Sequence, residues 1–554
     1  MSPPLNLLVR LRLAWAGQRL WRPFLRQTRQ PAEAQQRLLR TVLKQNKATR
    51  FGREHHFAEI RTPEDYAARV PIQSYEDLRP YIERQEEQKT PELLAAQPVM
   101  YARTSGTTGK PKYIPILAET ISRYKQSQQI FSCCHDSAIP GIFSGKTLAF
   151  VSPAIEGRLP TGTPYGSMSG LIYQSMSRLL RKNYIVPPAV FECADHELKY
   201  LLIATFALAE GAITYIAGAN PSTFLKIAEV INKLANLIIP AIESGELPGR
   251  EKLDPATYRG LQAAFRKNPR RAHELKALFT AHPEITFGLL WPGLKAVSCW
   301  REGSCRVLLP ALQRQLPAGI PILELGYLSS ECRGSMPVDS LRHMEVPTIH
   351  ENYFEFVERN DWEAGNPRIR SLTQLELGQA YYVIITTQTG LYRYFMNDVV
   401  KVDGFYQATP TIKFLEKGAG ATNITGEKLY ENQVSEAVEA ALKDEAWRPA
   451  FFMMVADPEQ QTYFFYLEAS GANLTGFVEK LDVEISRRNL EYKSKRESGR
   501  LPPIEYRLLR SGTGEAYKAH LVVEGQREAQ FKFIRLQSRA KLRFNLESHL
   551  EPEQ

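Results

Sequence analysis

One loop, at positions 104–112, carries the residues with the clearest capacity for chemistry. It reads Thr-Ser-Gly-Thr-Thr-Gly-Lys-Pro-Lys, which places four hydroxyl groups, two glycines and two lysines within nine residues. Glycine lets the backbone approach a ligand closely. Hydroxyl and exposed N–H groups bind phosphate oxygens, and lysine adds a mobile positive charge. The composition therefore predicts a loop that binds the phosphates of a nucleotide.

The surroundings of this loop separate it from the Walker type, which needs G-x-x-x-x-G-K-[ST] at the start of a helix. Here Lys110 is followed by Pro111, and the apolar runs 98–102 and 113–116 predict a strand on either side. The spacing instead resembles the [ST]-[ST]-G-[ST]-T-G-x-P-K loop of adenylate-forming enzymes. An ordinary surface turn rich in threonine and glycine is the alternative, but such turns rarely need a lysine after a proline as well.

A second cluster reads Gly-Tyr-Leu-Ser-Ser-Glu over 326–331 and follows an apolar strand that we expect to end at Leu325. The ring of Tyr327 offers a flat surface for a purine, and the serines add hydroxyl groups. Glu331 can hold Mg²⁺, which favours a carboxylate together with phosphate oxygens. Alone, the cluster is equally compatible with an ordinary buried strand end. The phosphate loop is what makes a nucleotide site the stronger interpretation.

A third cluster, at 391–398, ends in Asp398 and follows the apolar run 381–387. An aspartate in such a place can accept hydrogen bonds from both ribose hydroxyls, as acidic residues do in dinucleotide sites. The alternative is a surface ion pair between Arg393 and Asp398, which would contribute little. A fourth candidate, Lys532, is isolated near the C-terminus, where a lysine is normally a solvated charge.

These clusters need a scaffold, and the apolar pattern predicts one of alternating helices and short strands. A chain of 554 residues is too long for one core, so two or more domains are expected. The pattern predicts helices at 32–46 and across 197–240, and strands at 147–151, 321–325 and 381–387. Such alternation is typical of an α/β domain.

A domain boundary is expected within 416–427, where Gly418, Gly420 and Gly426 make a plausible hinge. Beyond it, the order helix, hairpin, helix, strand predicts a small α+β domain of ordinary size. The sequence therefore predicts an N-terminal domain at 1–416 and a C-terminal domain at 417–554.

The bulk composition is that of a soluble globular protein, with 43% hydrophobic and 23% charged residues. No apolar run is long enough for a transmembrane helix. Arginines interrupt the apolar segment 5–25, which predicts an amphipathic helix packed on the body rather than a signal peptide; a peripheral membrane contact is the alternative. The net charge is +10 without a long basic block or a nucleic-acid-binding signature, so no nucleic acid partner is expected.

The six cysteines contain no C-x-x-C pair, which is typical of reduced thiols in a cytoplasmic protein. The ten histidines show no zinc-binding spacing, so no structural metal is expected. The segment 166–170 looks like a nucleophile elbow, but Met168 stands where the serine is needed. A serine hydrolase is therefore disfavoured.

Together, these motifs make the chain similar to the auxin-responsive Gretchen Hagen family of acyl-acid amido synthetases, within the adenylate-forming superfamily. The phosphate loop, a Y-x-S-S-E-C pattern at 327–332 and a Y-R-Y-x-x-x-D pattern at 392–398 carry the resemblance. The segments 291–295 and 426–428 and a Q-F-K pattern ending at Lys532 are also similar. Each motif alone is weak, but the set is specific and covers most of the chain.

The resemblance implies a large multi-layer α/β N-terminal domain that binds ATP and an acyl acid, and a small α+β C-terminal domain that acts as a mobile lid between two half-reactions. It also implies roles for residues of this chain. Those residues are Thr104, Ser105, Gly106, Thr107 and Thr108 for the phosphates, Lys112 for the pyrophosphate, Tyr327 against adenine, Ser330 on the nucleotide, Glu331 at Mg²⁺ or the α-phosphate, Asp398 at the ribose, and Lys532 between acyl oxygen and phosphate. Lys112, Glu331 and Lys532 would be the catalytic residues of this set.

Some positions depart from the pattern of plant members. Phe395 and Asn397 stand where those members have Arg and Gly. Asparagine tolerates the left-handed backbone conformation, so the turn can survive, whereas an arginine contact cannot. The segment 155–175, expected to line the acyl site, does not match the plant hormone pockets. We therefore expect a member of bacterial type and assume neither auxin nor jasmonate as substrate.

The implied reaction is ATP-dependent activation of a carboxylic acid to an acyl-adenylate, followed by transfer to an amine, in the first instance that of an amino acid. The alternative is an acyl-CoA or aryl-CoA ligase, which shares the first half-reaction. A non-catalytic nucleotide-binding protein is a further alternative. Against it stands the joint presence of Lys112, Glu331, Asp398 and Lys532.

Overall fold

The computed structural model describes residues 3–104, 111–176, 178–418, 421–443, 445, 447–469, 474–523 and 534–552. The chain divides into two compact units. The first comprises Met1–Arg103 and Tyr113–Glu416, and the second comprises Thr104–Lys112 and Lys417–Gln554.

The first unit begins with helices whose starts are encoded locally. Thr62 and Ser74 each form a capping box, in which the hydroxyl accepts from the N–H of an aspartate three residues later and that aspartate accepts from the backbone of the cap. The helices are α1 (Pro3–Ala16), α2 (Arg22–Gln27), α3 (Pro31–Asn46), α4 (Arg50–Glu54), α5 (Pro63–Arg69) and α6 (Tyr75–Gln88), with a π-helical turn at Gly17–Trp21 between α1 and α2. Helix α3 confirms the helix predicted at 32–46.

The middle of the first unit alternates helices and strands. The elements are β1 (Met100–Thr104), β2 (Lys112–Ile116), α7 (Ala118–Ala138), β3 (Lys146–Ala149), β4 (Gly157–Arg158), β5 (Pro164–Gly166), α8 (Met168–Gln174), α9 (Arg178–Arg181), α10 (Pro188–Phe191), α11 (His196–Ala209), β6 (Ile213–Ala217), α12 (Pro221–Ser244), α13 (Pro255–Ala264), α14 (Pro269–Ala281), α15 (Phe287–Leu290), β7 (Ala296–Cys299), α16 (Leu309–Gln315) and β8 (Ile322–Glu324). One sheet has the order β2-β1-β5-β4. The other, β3-β6-β7-β8, is parallel throughout.

The expectation of helix across 197–240 was wrong in its middle, where the structure has the strand β6. The run Ile-Thr-Tyr-Ile-Ala is rich in β-branched and aromatic residues, and glycines stand at positions 211 and 218 on either side. A fully buried strand is apolar on both faces, so periodicity alone cannot separate it from the buried helices next to it.

An antiparallel sheet completes the first unit. Its elements are β9 (Ser335–Asp339), β10 (Met344–Pro347), β11 (Tyr353–Glu358), α17 (Arg359–Glu363), β12 (Ile369–Ser371), β13 (Ala380–Thr386), β14 (Tyr394–Tyr406) and β15 (Thr409–Lys417). The order is β12-β11-β13-β14-β15, with β9 and β10 forming a separate hairpin. The central strand β13 confirms the strand predicted at 381–387, and its side chains are almost all buried.

The second unit is a small α+β fold. Its elements are β16 (Ala421–Thr422), β17 (Leu429–Tyr430), α18 (Glu431–Ala441), β18 (Phe451–Asp457), β19 (Thr462–Glu468), α19 (Leu474–Arg488), α20 (Leu490–Glu497), β20 (Glu505–Leu508), α21 (Thr513–Val523) and β21 (Leu536–Ser538). The sheet β20-β19-β18-β21 buries side chains on both faces, for example Phe465 on one face and Phe464 on the other. The two units together confirm the predicted fold class.

Within the described ranges, no helix is both long enough and apolar enough to cross a bilayer.

Candidate active site

The candidate site in the first unit is organised around Tyr327, which follows β8. Gly326 has a φ of +100°, a conformation that residues with a side chain rarely adopt. Gly334 packs against the tyrosine ring so closely that a Cβ there would lie 2.2 Å from it. The backbone N–H of Tyr327 donates to the hydroxyl of Ser335 at 2.7 Å. Two glycines and one serine therefore fix the position of this ring.

Asp398 faces Tyr327 although the two residues are far apart in the sequence. The hydroxyl of Tyr327 donates to Oδ2 of Asp398 at 2.6 Å, and both side chains are buried. Burial, and next the negative charge of Asp398, raise the pKa of Tyr327 well above its usual range. The tyrosine therefore acts as a donor that orients a buried carboxylate.

The backbone around Asp398 differs in one respect from the expectation. The aspartate lies within strand β14 rather than beyond the end of a strand. Asn397 has a φ of 52°, so it takes the left-handed conformation that its residue type tolerates.

The alternative of an ion pair between Arg393 and Asp398 was wrong, because Arg393 binds Glu355 on β11. Its Nε lies 3.1 and 3.0 Å from the two carboxylate oxygens, and Nη1 donates to the carbonyls of Ala67 and Val70. Both partners are buried. Burial raises the pKa of Glu355, and the charge of Arg393 opposes that shift. This pair locks the start of β14, and so positions Asp398.

Ser330 and Glu331 lie in a tight turn directly after Tyr327. The hydroxyl of Ser329 accepts from the N–H groups of Glu331 and Cys332, and the N–H of Ser329 donates to the carbonyl of Cys332 at 2.9 Å. Burial raises the pKa of Tyr327 and of the Cys332 thiol, and the negative charges of Glu331 and Asp398 raise both pKa values further. The two carboxylates therefore belong to one electrostatic neighbourhood.

This turn forms one wall of a pocket in the first unit. Strand β2 and helix α7 form a second wall, and the segments after β10 and β13 close it. The lining side chains include Ile114, Ile116, Thr120, Arg123, Tyr124, Met168, Ser330, Glu331, Cys332, Arg333, Glu351, Asn352, Thr387, Gln388 and Thr389. The pocket is mixed in polarity, with apolar side chains from β2 and charged ones from the turn.

A second layer of buried carboxyl groups supports the turn. Glu324 accepts from the N–H groups of Gly326 and Arg301, and Glu345 accepts from the Ser335 hydroxyl at 2.5 Å. Burial raises the pKa of both carboxyls. Glu345 thus acts on Tyr327 through Ser335. Sequence reasoning missed this layer, because nothing in the local pattern pairs residues on β8, β9 and β10.

Only the ends of the phosphate loop are described. Thr104 and Lys112 are buried, and the Thr104 hydroxyl donates to Oε1 of Glu491 at 3.3 Å within the second unit. Ser105, Gly106, Thr107, Thr108 and Lys532 lie outside the described residues.

Of the glycines expected to form a hinge, Gly420 lies outside the described residues. Glu427, which follows Gly426, is fully buried. Its carboxylate accepts from the N–H groups of Ile424 and Thr425 and from the Tyr463 hydroxyl at 2.7 Å. No cluster of three or more metal-ligating side chains occurs in the part of the chain that the structure describes.

Models of three domains of one family match most of the chain. The GH3 family N-terminal domain matches residues 21–322, its central domain 346–417, and its C-terminal domain 432–541. Curated relatives include indole-3-acetic acid-amido synthetase GH3.8 of Oryza sativa subsp. indica, 26% identical over 90% of this chain and 87% of that protein. Jasmonoyl-L-amino acid synthetase JAR6 of Nicotiana attenuata is 25% identical, covering 91% of both.

Solved structures share the fold. The GH3.15 acyl acid amido synthetase aligns with a TM-score of 0.64 at 21% identity, covering 95% of both chains. A 2-hydroxyisobutyryl-CoA ligase aligns with a TM-score of 0.53 at 14% identity, covering 91% of this chain and 89% of its own. At these identities the likeness concerns architecture, and it includes both amide-forming and thioester-forming ligases. With three family domains matched in order along its length, this chain belongs to the GH3, or Gretchen Hagen, family.

Proposed function

We propose that the protein is a ligase that activates a carboxylic acid with ATP to an acyl-adenylate and transfers the acyl group to the amine of an amino acid. The observation that carries the proposal is the buried hydrogen bond between Tyr327 and Asp398 beside the pocket of Ser330 and Glu331. Tyr327 stands three residues before Ser330, and the same turn brings a hydroxyl group and a carboxylate to the pocket, which supports a nucleotide site there.

In the first half-reaction, a carboxylate oxygen of the acid attacks the α-phosphorus of ATP, and the bond to the bridging oxygen breaks to release pyrophosphate. Charge in the transition state spreads over the phosphoryl oxygens, so fixed donors and cations provide most of the stabilisation. We assign the phosphates to Thr104, Ser105, Gly106, Thr107 and Thr108, and the pyrophosphate to Lys112. Lys532 would bridge the acyl oxygen and the α-phosphate.

The nucleoside half is assigned to the first unit. Tyr327 would lie against adenine, Ser330 would contact the nucleotide, and Asp398 would accept the ribose hydroxyls. Glu331 would hold Mg²⁺, which in nucleotide sites takes one or two carboxylates together with substrate phosphates rather than an all-protein cage. When bound, the ion neutralises phosphate charge. Glu331 and Glu351 both line the pocket, and a site with one or two carboxylates fits that preference.

In the second half-reaction, the amine nitrogen attacks the carbonyl carbon of the acyl-adenylate, AMP leaves with the electron pair of the broken C–O bond, and the nitrogen loses a proton. We propose that residues 1–416 bind ATP and the acid while 417–554 act as the lid between the two steps. Location in the cytoplasm is proposed as well, supported by six cysteines that all remain free.

Product identification tests this proposal against the thioester alternative. The protein is incubated with ATP, Mg²⁺ and a mixture of carboxylic acids, together with either mixed amino acids or coenzyme A, and the products are identified by mass spectrometry. Amides with concomitant AMP are expected. Thioesters formed with coenzyme A in place of amides would establish the acyl-CoA ligase instead.

A further inference from the structure

Arg333 is a buried cation with N–H groups that no described residue accepts. It follows the turn of Ser330 and Glu331, lines the pocket and is 5% exposed. Its Nη2 donates to Oε1 of Gln128 at 3.3 Å, and the guanidinium lies 5.3 Å from the centre of the Phe131 ring. Its Nε and Nη1 are shielded from solvent and have no hydrogen-bond partner among the described residues. Leaving charged N–H groups in this state is costly, which indicates that something else binds them.

The nearby carboxyl groups offset this charge only in part. Glu351 on the same pocket is the strongest attractive influence on Arg333, yet burial raises the pKa of Glu351 to about 7. Its Oε1 already accepts from the Ser127 hydroxyl. Burial also lowers the pKa of the neighbouring His350 to about 3, so that ring is neutral. Glu351 therefore balances the charge of Arg333 only in part at neutral pH.

Gln388 adds a second, independent observation in the same pocket. It lies between β13 and β14, and both its amide oxygen and its amide nitrogen are shielded without a partner in the described ranges. Two side chains from distant parts of the chain thus line one pocket and carry buried donors without a partner among the described residues. A polar ligand group needs such donors close together, whereas an apolar acyl chain does not need them.

The charge that satisfies Arg333 must persist through the reaction. The reacting carboxylate loses its negative charge when it becomes an acyl-adenylate, so a fixed cation bound to that group would stabilise the ground state and raise the barrier. A second anionic group keeps its charge in the substrate, the transition state and the adenylate. Binding it lowers KM without slowing the chemistry.

We propose that this pocket selects an acid with a second carboxylate, and that Arg333, assisted by Gln388, binds this second group as the specificity-determining contact. The inference rests on the proposed function, because it treats the pocket as the acyl site. The substrate class is accordingly a dicarboxylic acid, of which one carboxyl group is adenylated.

The test compares matched linear monocarboxylic and α,ω-dicarboxylic acids of increasing chain length in ATP–pyrophosphate exchange, with the native protein and with Arg333→Met. The native protein should prefer the dicarboxylic acid at the best length by roughly ten- to hundred-fold in kcat/KM, the factor expected for hydrogen bonds to a charged group. Arg333→Met should lose that preference, and the loss should appear in the KM for the dicarboxylic acid. Arg266→Met, an exposed arginine outside this pocket, is the matched control.

The other possible results of this comparison would overturn the proposal or the proposed function. A native preference for monocarboxylic acids overturns the proposal without any variant. An equal loss of activity on both acids in Arg333→Met, with an unchanged melting temperature, would place the reacting carboxylate on Arg333 and overturn it too. If no acid supports exchange, the proposed function fails. Calorimetric titration with each α,ω-dicarboxylic acid of the series then tests the pocket separately. The expected result is binding of at least one of them that Arg333→Met and Gln388→Leu weaken, and binding of none would refute the proposal.

Discussion

Replacing Tyr327 with phenylalanine isolates the contact on which the candidate site depends. The substitution keeps the ring, which lies 5.9 Å from that of Phe414 with an interplanar angle of 20°, and removes only the hydroxyl. That hydroxyl donates to a carboxylate that is 1% exposed. A hydrogen bond to a charged group contributes about 1.5–3 kcal/mol, because its loss leaves the charge poorly compensated away from water. We expect the free energy of unfolding to fall by about 2 kcal/mol.

The same substitution should weaken ATP binding, since Asp398 loses the donor that orients it. A loss of about 1.4 kcal/mol in nucleotide binding corresponds to a tenfold rise in the KM for ATP. Urea unfolding and steady-state kinetics measure the two effects separately. Tyr406→Phe is the control, because the hydroxyl of Tyr406 forms no hydrogen bond with the described residues. Its change should stay within about 0.5 kcal/mol.

The reasoning would be refuted if Tyr327→Phe matched the control in both stability and KM. That result would mean that the Tyr327 hydroxyl neither supports the fold nor orients Asp398. If stability fell while the KM for ATP stayed unchanged, the hydrogen bond would be confirmed as a stabilising contact. Asp398 would then not belong to the nucleotide site.

Three further predictions follow from buried charges and from the sequence. Arg393→Met should destabilise the protein by about 3 kcal/mol or more, because it leaves Glu355 charged and buried; urea unfolding measures this, and adding Glu355→Gln should restore part of the loss. Burial raises the pKa of Glu351 from 4.5 to about 7, so between these pH values the folded protein holds a proton that the unfolded chain has lost. The free energy of unfolding should therefore fall as pH rises through this window, by up to about 3 kcal/mol from this group. Glu351→Gln should flatten this dependence in unfolding measured across the window, and an unchanged slope would contradict the assignment. Lys532→Ala should slow acid-dependent pyrophosphate exchange by roughly 100-fold, as the loss of one transition-state donor does; near-native exchange would remove Lys532 from the reaction.

Much of the local structure could be predicted from the sequence, because its determinants are local. The strands around 321–325 and 381–387 are short apolar runs with turn residues after them, and Tyr327 follows the first. The resemblance placed a glycine of plant members at Asn397, and asparagine keeps the left-handed conformation that such a turn needs. In each case the signal lies within a few residues of the feature.

The parts that were missed depend on partners chosen by the tertiary structure. The sequence offered Asp398 as the neighbour of Arg393 in the chain, whereas the fold supplies Glu355 from an adjacent region of the sheet. The sequence around Arg333 did not indicate a binding residue, because its importance depends on its burial in the same pocket as Gln388 and Glu351. Charged residues in a buried site are therefore visible in the sequence, but their pairing is not.

The most direct test of the central claim is incorporation of labelled pyrophosphate into ATP in the presence of a panel of carboxylic acids. The account predicts exchange that requires an acid and Mg²⁺ and that falls sharply in Asp398→Ala and Glu331→Ala variants that remain folded. The claim that these residues form an adenylation site would be contradicted by exchange that does not depend on the acid. Exchange at the native rate in both variants would contradict it as well.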